Sequence, residues 1–310
     1  MYLKNSVLAQ LILVFRTATA SPLFSFLNEH STKTQPKTMT TKQLHYLLII
    51  ICALSSSVAT CGAAPTPYFE DFESYAVGDT PVANFTEVDS TAWTIAAPSF
   101  SGQAYENEIS VFSPGPGFAA GENSSAVVDF PSLAASGFSI STSFVIDELT
   151  LDGSDPNNTA KIGLVARAAD SMPASSGGDR YEVSYFLDDD GLGHPTGRLY
   201  LTEHNLFFGD SLNKLSTASL PVALGDVYTF SFEGRVVGGS LKLRARLTNT
   251  TTLSGIKVLG TDSSNVLGGS FFGYFNNVRV EDGGTVTLNA DFDDFFARRR
   301  PATAELEWTD

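Results

Sequence analysis

Cysteine is nearly absent from this 310-residue chain: there are two, Cys52 and Cys61, both within an N-terminal stretch unlike the rest. A chain processed beyond them has no disulfide, so its stability must come from core burial or a bound ion. Histidine is as scarce, four in all, and His30 and His45 lie in the same stretch. His194 and His204 alone supply a zinc site or a histidine-based triad poorly. Positive charge is short too. Nineteen Lys and Arg stand against 34 Asp and Glu, which argues against nucleic acid and anionic membrane surfaces as partners. No convincing helix and no repeat at a fixed period are visible, so a propeller lacks its blade period.

What the first 64 residues do have is the order of a secretory signal. Lys42 precedes an apolar run from Leu44 to Leu54, and small residues follow as far as Ala63-Ala64. The run is too short for a comfortable membrane span. Residues 1–38 read as a mis-annotated segment upstream of Met39, residues 39–64 as the signal peptide, and Pro65 as the start of the mature chain. The alternative is a lipid anchor on Cys61. Removing residues 1–64 takes five basic residues and one acidic one, leaving 14 against 33. The expected localisation is extracellular.

The remaining residues alternate with period two, the mark of strands with one buried face. In Arg180–Leu187, Tyr181, Val183, Tyr185 and Leu187 share one face, and Arg180, Glu182, Ser184 and Phe186 the other. Arg198–His204 repeats the pattern, with Leu199 and Leu201 inward. Tyr228, Phe230 and Phe232, then Gly238-Gly239, then Leu241, Leu243, Ala245 and Leu247 make the clearest hairpin. Ile162–Arg167 is apolar enough to be buried on both faces. About a dozen such strands predict an all-β, antiparallel two-sheet sandwich or jelly roll over residues 65–297, with 298–310 a flexible tail. A single domain of this kind is expected to be a monomer.

Three constellations could carry chemistry. Asp71 and Glu73 near the start of the fold, and Asp291 and Asp293 near its end, alternate with aromatics. On adjacent strands these four carboxylates would repel unless a cation sat among them, and calcium takes such oxygen ligands. Arg180, Glu182, Phe186, Arg198, Tyr200 and His204 occupy the polar faces of two neighbouring strands. An aromatic with a few polar groups is what sugar recognition needs, so these are the candidate ligand residues. For hydrolysis, alternating carboxylates on one strand could act as nucleophile and acid. Glu148-Leu149-Thr150-Leu151-Asp152 places Thr at the central position, and Glu106 with Glu108 is a second near miss. Lys242, Arg244 and Arg246 form a basic stripe that pairs with acidic neighbours or holds an anionic glycan. Asn84, Asn123, Asn157 and Asn249 stand in glycosylation sequons.

The run Phe69–Pro81, Trp93, Ile162–Ala168, Tyr181–Leu187, Gly197–Glu203 and the closing Asp291–Phe295 together resemble the concanavalin A-like lectin/glucanase superfamily. More narrowly, they resemble the laminin G-like jelly rolls of secreted bacterial proteins. The resemblance implies two stacked curved sheets, adjacent terminal strands, and a structural calcium near them. With no catalytic motif intact, the expected function is a secreted, non-catalytic, calcium-stabilised domain that binds a poly- or oligosaccharide. A glycan-degrading enzyme and an adhesive matrix module remain the alternatives.

Overall fold

A computed structural model describes residues 66–300, apart from 80–81, 89–92, 98–101, 135, 153–157, 172–177, 190–194, 206–211, 265 and 282. The signal-like stretch, Cys52, Cys61, His194, Asn157 and residues 301–310 lie outside the described residues. Along the chain run β1 (Tyr68–Glu70), β2 (Thr86–Val88), β3 (Trp93–Ala96), β4 (Ala104–Ser113) and β5 (Ala119–Asp129). A one-turn helix α1 (Pro131–Ala134) precedes β6 (Gly137–Leu151), β7 (Thr159–Ala168), β8 (Arg180–Asp189), β9 (Pro195–His204), β10 (Asn213–Leu215) and β11 (Leu220–Pro221). The last five are β12 (Val227–Val237), β13 (Ser240–Asn249), β14 (Ser254–Asp262), β15 (Phe271–Glu281) and β16 (Gly284–Arg300).

The strands form two antiparallel sheets of eight. The first has the order β14-β13-β12-β6-β16-β4-β3, with β1 also on β16; the second has β10-β9-β8-β7-β15-β5-β2, with β11 on β9. This is the all-β sandwich expected from the alternation. The β12–β13 hairpin turns at Gly238-Gly239, both at positive φ (59° and 85°), where glycine carries no Cβ penalty. β16 runs three residues past Ala297, with Arg298–Arg300 paired to Ser139–Gly137 of β6. The start of the expected tail is therefore strand.

The inner faces meet in one apolar core. At one end it is a cluster of aromatic rings. Tyr274 of the second sheet lies 4.5 Å from Phe292 of the first, and Trp93 stacks on Tyr274 at 5.8 Å. A bulge between Asp293 and Phe296, with Asp294 at φ 54°, lets Phe292 and Phe295 both point inward although they are three apart. Buried amides bridge the sheets as well: Asn276 donates to Asn107 (2.8 Å), and Asn107 donates to Ser124 (3.1 Å). As expected, β7 is buried along nearly its whole length on both sides.

Packing is tight where the strands cross over the Phe138 ring. A Cβ at Gly234 would lie 2.3 Å from it. Gly234→Ala is expected to lower unfolding free energy by about 1–3 kcal/mol through overpacking, read from urea denaturation.

Candidate binding cleft and a buried carboxyl cluster

Alternation that sends Val183, Tyr185, Leu199 and Leu201 into the core sends their neighbours to the outer face of the second sheet. There Asn123 of β5, Asn277 of β15, Lys161 of β7, Phe186 of β8 and Arg198 of β9 are successive cross-strand partners, one row running across five strands. A cleft of about 470 Å³ opens on this face, lined by Lys161, Arg180, Glu182, Phe186, His204 and Asn277, with Phe275 and Arg279 among its other walls. Four of the six residues selected from the sequence, Arg180, Glu182, Phe186 and His204, are thus brought together. Arg198 and Tyr200 are not in the lining. Tyr200 instead meets Phe186 edge-on, with ring centroids 6.4 Å apart.

Glu182 is the electrostatic centre of the cleft. It is 1% exposed, and burial by itself would push its carboxyl up. The hydrogen bond from His204 and the charges of Arg180 and Lys161 outweigh that and hold it at about 2. His204 Nε2 is 3.3 Å from Glu182 Oε2, and Arg180 donates to the same oxygen through Nε (3.3 Å) and Nη2 (3.2 Å). The Arg180 guanidinium also lies 5.1 Å from the centroid of Phe275, and the Lys161 ammonium 5.7 Å from that of Phe186. Asn277 donates to Asn123 (2.6 Å), which orients both amides on the cleft wall. Lys161, Asn123, Phe275, Asn277 and Arg279 were not selected from the sequence. Their signal was the same alternation, on strands whose cross-strand neighbours the sequence does not name.

The four carboxylates expected to share calcium are arranged differently. Pairing sets Tyr68–Glu70 against Ala297–Phe295, and β1 ends there, before Asp71 and Glu73. Asp291 stands opposite Glu106 and Val145, and Asp293 opposite Ser143. Glu73 accepts instead from the Gln103 backbone N–H (2.9 Å). The reason is that β1 ends at Glu70 and the chain turns at Phe72 (φ 58°), which buries the Phe72 ring and takes Glu73 to Gln103. Among the described residues, no three His, Cys, Asp or Glu side chains are gathered as a metal ion would need. Asp71, Glu73, Asp291 and Asp293 are thus not gathered into one group in the fold.

What surrounds Asp291 is a carboxyl cluster on the outer face of the first sheet. Asp291 is 3% exposed. Burial first, then a hydrogen bond shared with Asp147 and the charges of Asp147 and Glu106, push its carboxyl up to about 8. Asp147 reaches it because β6 bulges between its pairings to Asn289 and Ala290. Glu106, one of the near-miss hydrolase residues, is held by Asn289 (2.9 Å) and Thr94 (3.3 Å). Glu148 is exposed. Of the sequon residues, Asn123 lies in the cleft wall. Asn249 is buried, bonded to Asp226 and to the Thr251 and Thr252 backbone, and so is not an acceptor in the folded chain.

No protein-family model and no curated protein sequence matches the chain. Solved structures with a similar course include lectin II from Ulex europaeus, at 11% identity over 74% of this chain and 98% of that one (TM-score 0.40). A protein of unknown function from Shewanella oneidensis MR-1 is similar at 12% identity over 88% and 100% (TM-score 0.41). The CBM2 module of an evolved Dit from Lactobacillus casei BL23 phage J-1 is similar at 13% over 75% and 94% (TM-score 0.39). At these scores they bear on neither family nor function, and the sandwich rests on this chain's own strand pairing.

The two buried carboxyls should give opposite pH responses. The Asp291 pKa is raised in the fold, so its contribution to stability is full below about 4 and is lost as pH rises through 8. Asp291→Asn is expected to flatten this decline and to melt higher than the parent at pH 8. The Glu182 pKa is lowered, so its contribution is present above about 4.5 and is lost as pH falls toward 2. Glu182→Gln is expected to cost about 3–5 kcal/mol at pH 7, because it leaves the buried Arg180 without its counter-charge, and to remove the acid-side slope. Melting temperatures from pH 3 to 9 measure both effects.

Proposed function

We propose that the described domain is a non-catalytic carbohydrate-binding sandwich, secreted as its signal-like leader suggests, with the cleft over Lys161, Glu182, Phe186 and Asn277 as its saccharide site. The observation that carries this reading is the lining itself. The Glu182 carboxylate, buried and ionised, holds Arg180 and His204 in place on the cleft wall. The amides of Asn123 and Asn277 both donate and accept, and Phe186 and Phe275 supply apolar edges for sugar C–H groups. A nucleophile with its base is lacking from this arrangement: Glu182 is bonded by Arg180 and His204 and holds its charge throughout the neutral range.

One observation favours a second reading, glycan hydrolysis. Asp291 retains a proton near neutrality beside Glu106 and Asp147, which is the acid-and-carboxylate pairing that glycosidases use. Its near-complete burial speaks against access by a substrate.

An array of immobilised neutral and charged glycans tests both. Retention of at least one glycan is expected, weakened about fivefold or more by Phe186→Ala with Asn277→Ala at an unchanged melting temperature. Loss of retention only through unfolding, or no retention at all, would overturn the cleft assignment. New reducing ends that disappear in Asp291→Asn would establish the hydrolase instead.

A further inference from the structure

The outer face of the first sheet carries a concentration of positive charge on the side of the sandwich away from the cleft. Across β12 and β13, Arg235 pairs with Lys242, and Glu233 with Arg244. One row on, Arg246 of β13 pairs with Lys257 of β14. Beyond β6, Arg298 and Arg300 stand opposite Ser139 and Gly137. Seven of the 14 basic residues that follow residue 64 thus lie at one end of one face of an acidic chain. Glu233 is the single carboxylate in these rows among the described residues. It is held below the usual carboxylate range, its burial outweighed by bonds from Arg244 (2.7 Å) and Arg300.

Two features set this patch apart from a merely solvated surface. Arg246 and Lys257 are exposed and directly opposite one another, a like-charge cross-strand pair that destabilises a sheet. Neither they nor the exposed Lys242 make an ion pair among the described residues. The other carboxylates of this face include Asp293 of β16 in the row of Ser143 and Thr229, and Asp291 in the row of Val145 and Val227. Arg246 stands opposite Ser231, one row from Asp293 and three strands from β16, which separates the two by about 16 Å, about two Debye lengths at physiological salt. These carboxylates therefore do not neutralise the patch.

We propose that this face docks a polyanionic polysaccharide, sulfated or carboxylated, lying across the strands. Three rows over five strands make a surface of about 14 by 19 Å. Its floor is small and hydroxylated, with Ser139, Ser141 and Ser231 between the cations. Hydroxyl donors set among guanidinium and ammonium groups suit sulfate or carboxylate oxygens. A flexible acidic chain can stay within the patch, whereas a rigid duplex would extend over the carboxyl end of the same face. The proposal is independent of the cleft, which lies on the other sheet.

The full chain, passed over dextran sulfate, polygalacturonate and uncharged dextran beads at low ionic strength, tests this. Retention on at least one acidic matrix and none on dextran is expected, with elution as salt rises. The two acidic matrices tell sulfate from carboxylate. Arg246→Glu with Lys257→Glu is expected to weaken retention about tenfold or more, with no change in melting temperature since both side chains are exposed. Lys214→Gln, exposed on β10 of the other sheet and outside the cleft lining, is expected to leave it unaltered. Absence of retention on both acidic matrices, or equal retention of the charge-reversed variant, would overturn the proposal. Stronger capture by duplex DNA or by phosphatidylserine vesicles than by either polysaccharide would also overturn it.

Discussion

The contact of Tyr274 with Phe292 across the two sheets is the interaction on which the rest of the architecture depends. Side chains alternate along a strand, so once these rings meet, the directions of their neighbours on β15, and on β16 as far as its bulges, are fixed. Asn277 and Arg279 of β15 must then face out over the cleft, and Asp291 and Asp293 of β16 must face out on the opposite side. Trp93 and Tyr105 close around the same point, and the Asn107–Asn276 amide bridge sets register beside it. A one-residue slip in either strand would bury charges and expose rings.

The two outer faces solve the cost of burying a carboxylate in opposite ways. Glu182 has the Arg180 guanidinium and the His204 ring within hydrogen-bonding distance and stays ionised; Asp291 has carboxylates for neighbours and keeps its proton. Both are almost fully buried, so composition of the neighbourhood, and not depth, decides their charge. This divides the molecule into a cleft with a fixed anion at its base, a proton-sharing carboxyl cluster, and a cationic end of the first sheet. A chain that is acidic as a whole thereby presents surfaces of different sign to different partners.

The Asp71, Glu73, Asp291 and Asp293 grouping shows where a local pattern misleads. Alternation correctly sent the Asp291 and Asp293 side chains outward, and β1 does pair with β16. β1 ends at Glu70 opposite Phe295, though, and the chain turns away at Phe72 (φ 58°), while β16 bulges at Asp294 between Phe295 and the two aspartates. Asp147 joined the cluster for a related reason, since a second bulge in β6 re-aimed it. Bulges leave little trace in period-two reading: one inserted residue looks like a brief lapse of alternation, as Asp147-Glu148 does.

The sequence by itself determined which face of each strand is buried, because a strand's side chains alternate regardless of what it pairs with. That was enough for the sandwich, the β12–β13 hairpin with its two glycines, and the shared polar face of Arg180, Glu182, Phe186 and His204. Tertiary structure alone decided which strands lie side by side. It placed Lys161 and Asn277 beside Phe186, set Arg246 against Lys257, and put Asp147 against Asp291. These pairs are separated by tens to hundreds of residues along the chain, and cross-strand neighbours are chosen by sheet order and register. Both are fixed by how the whole core packs, a sum over many contacts that no single stretch of sequence contains.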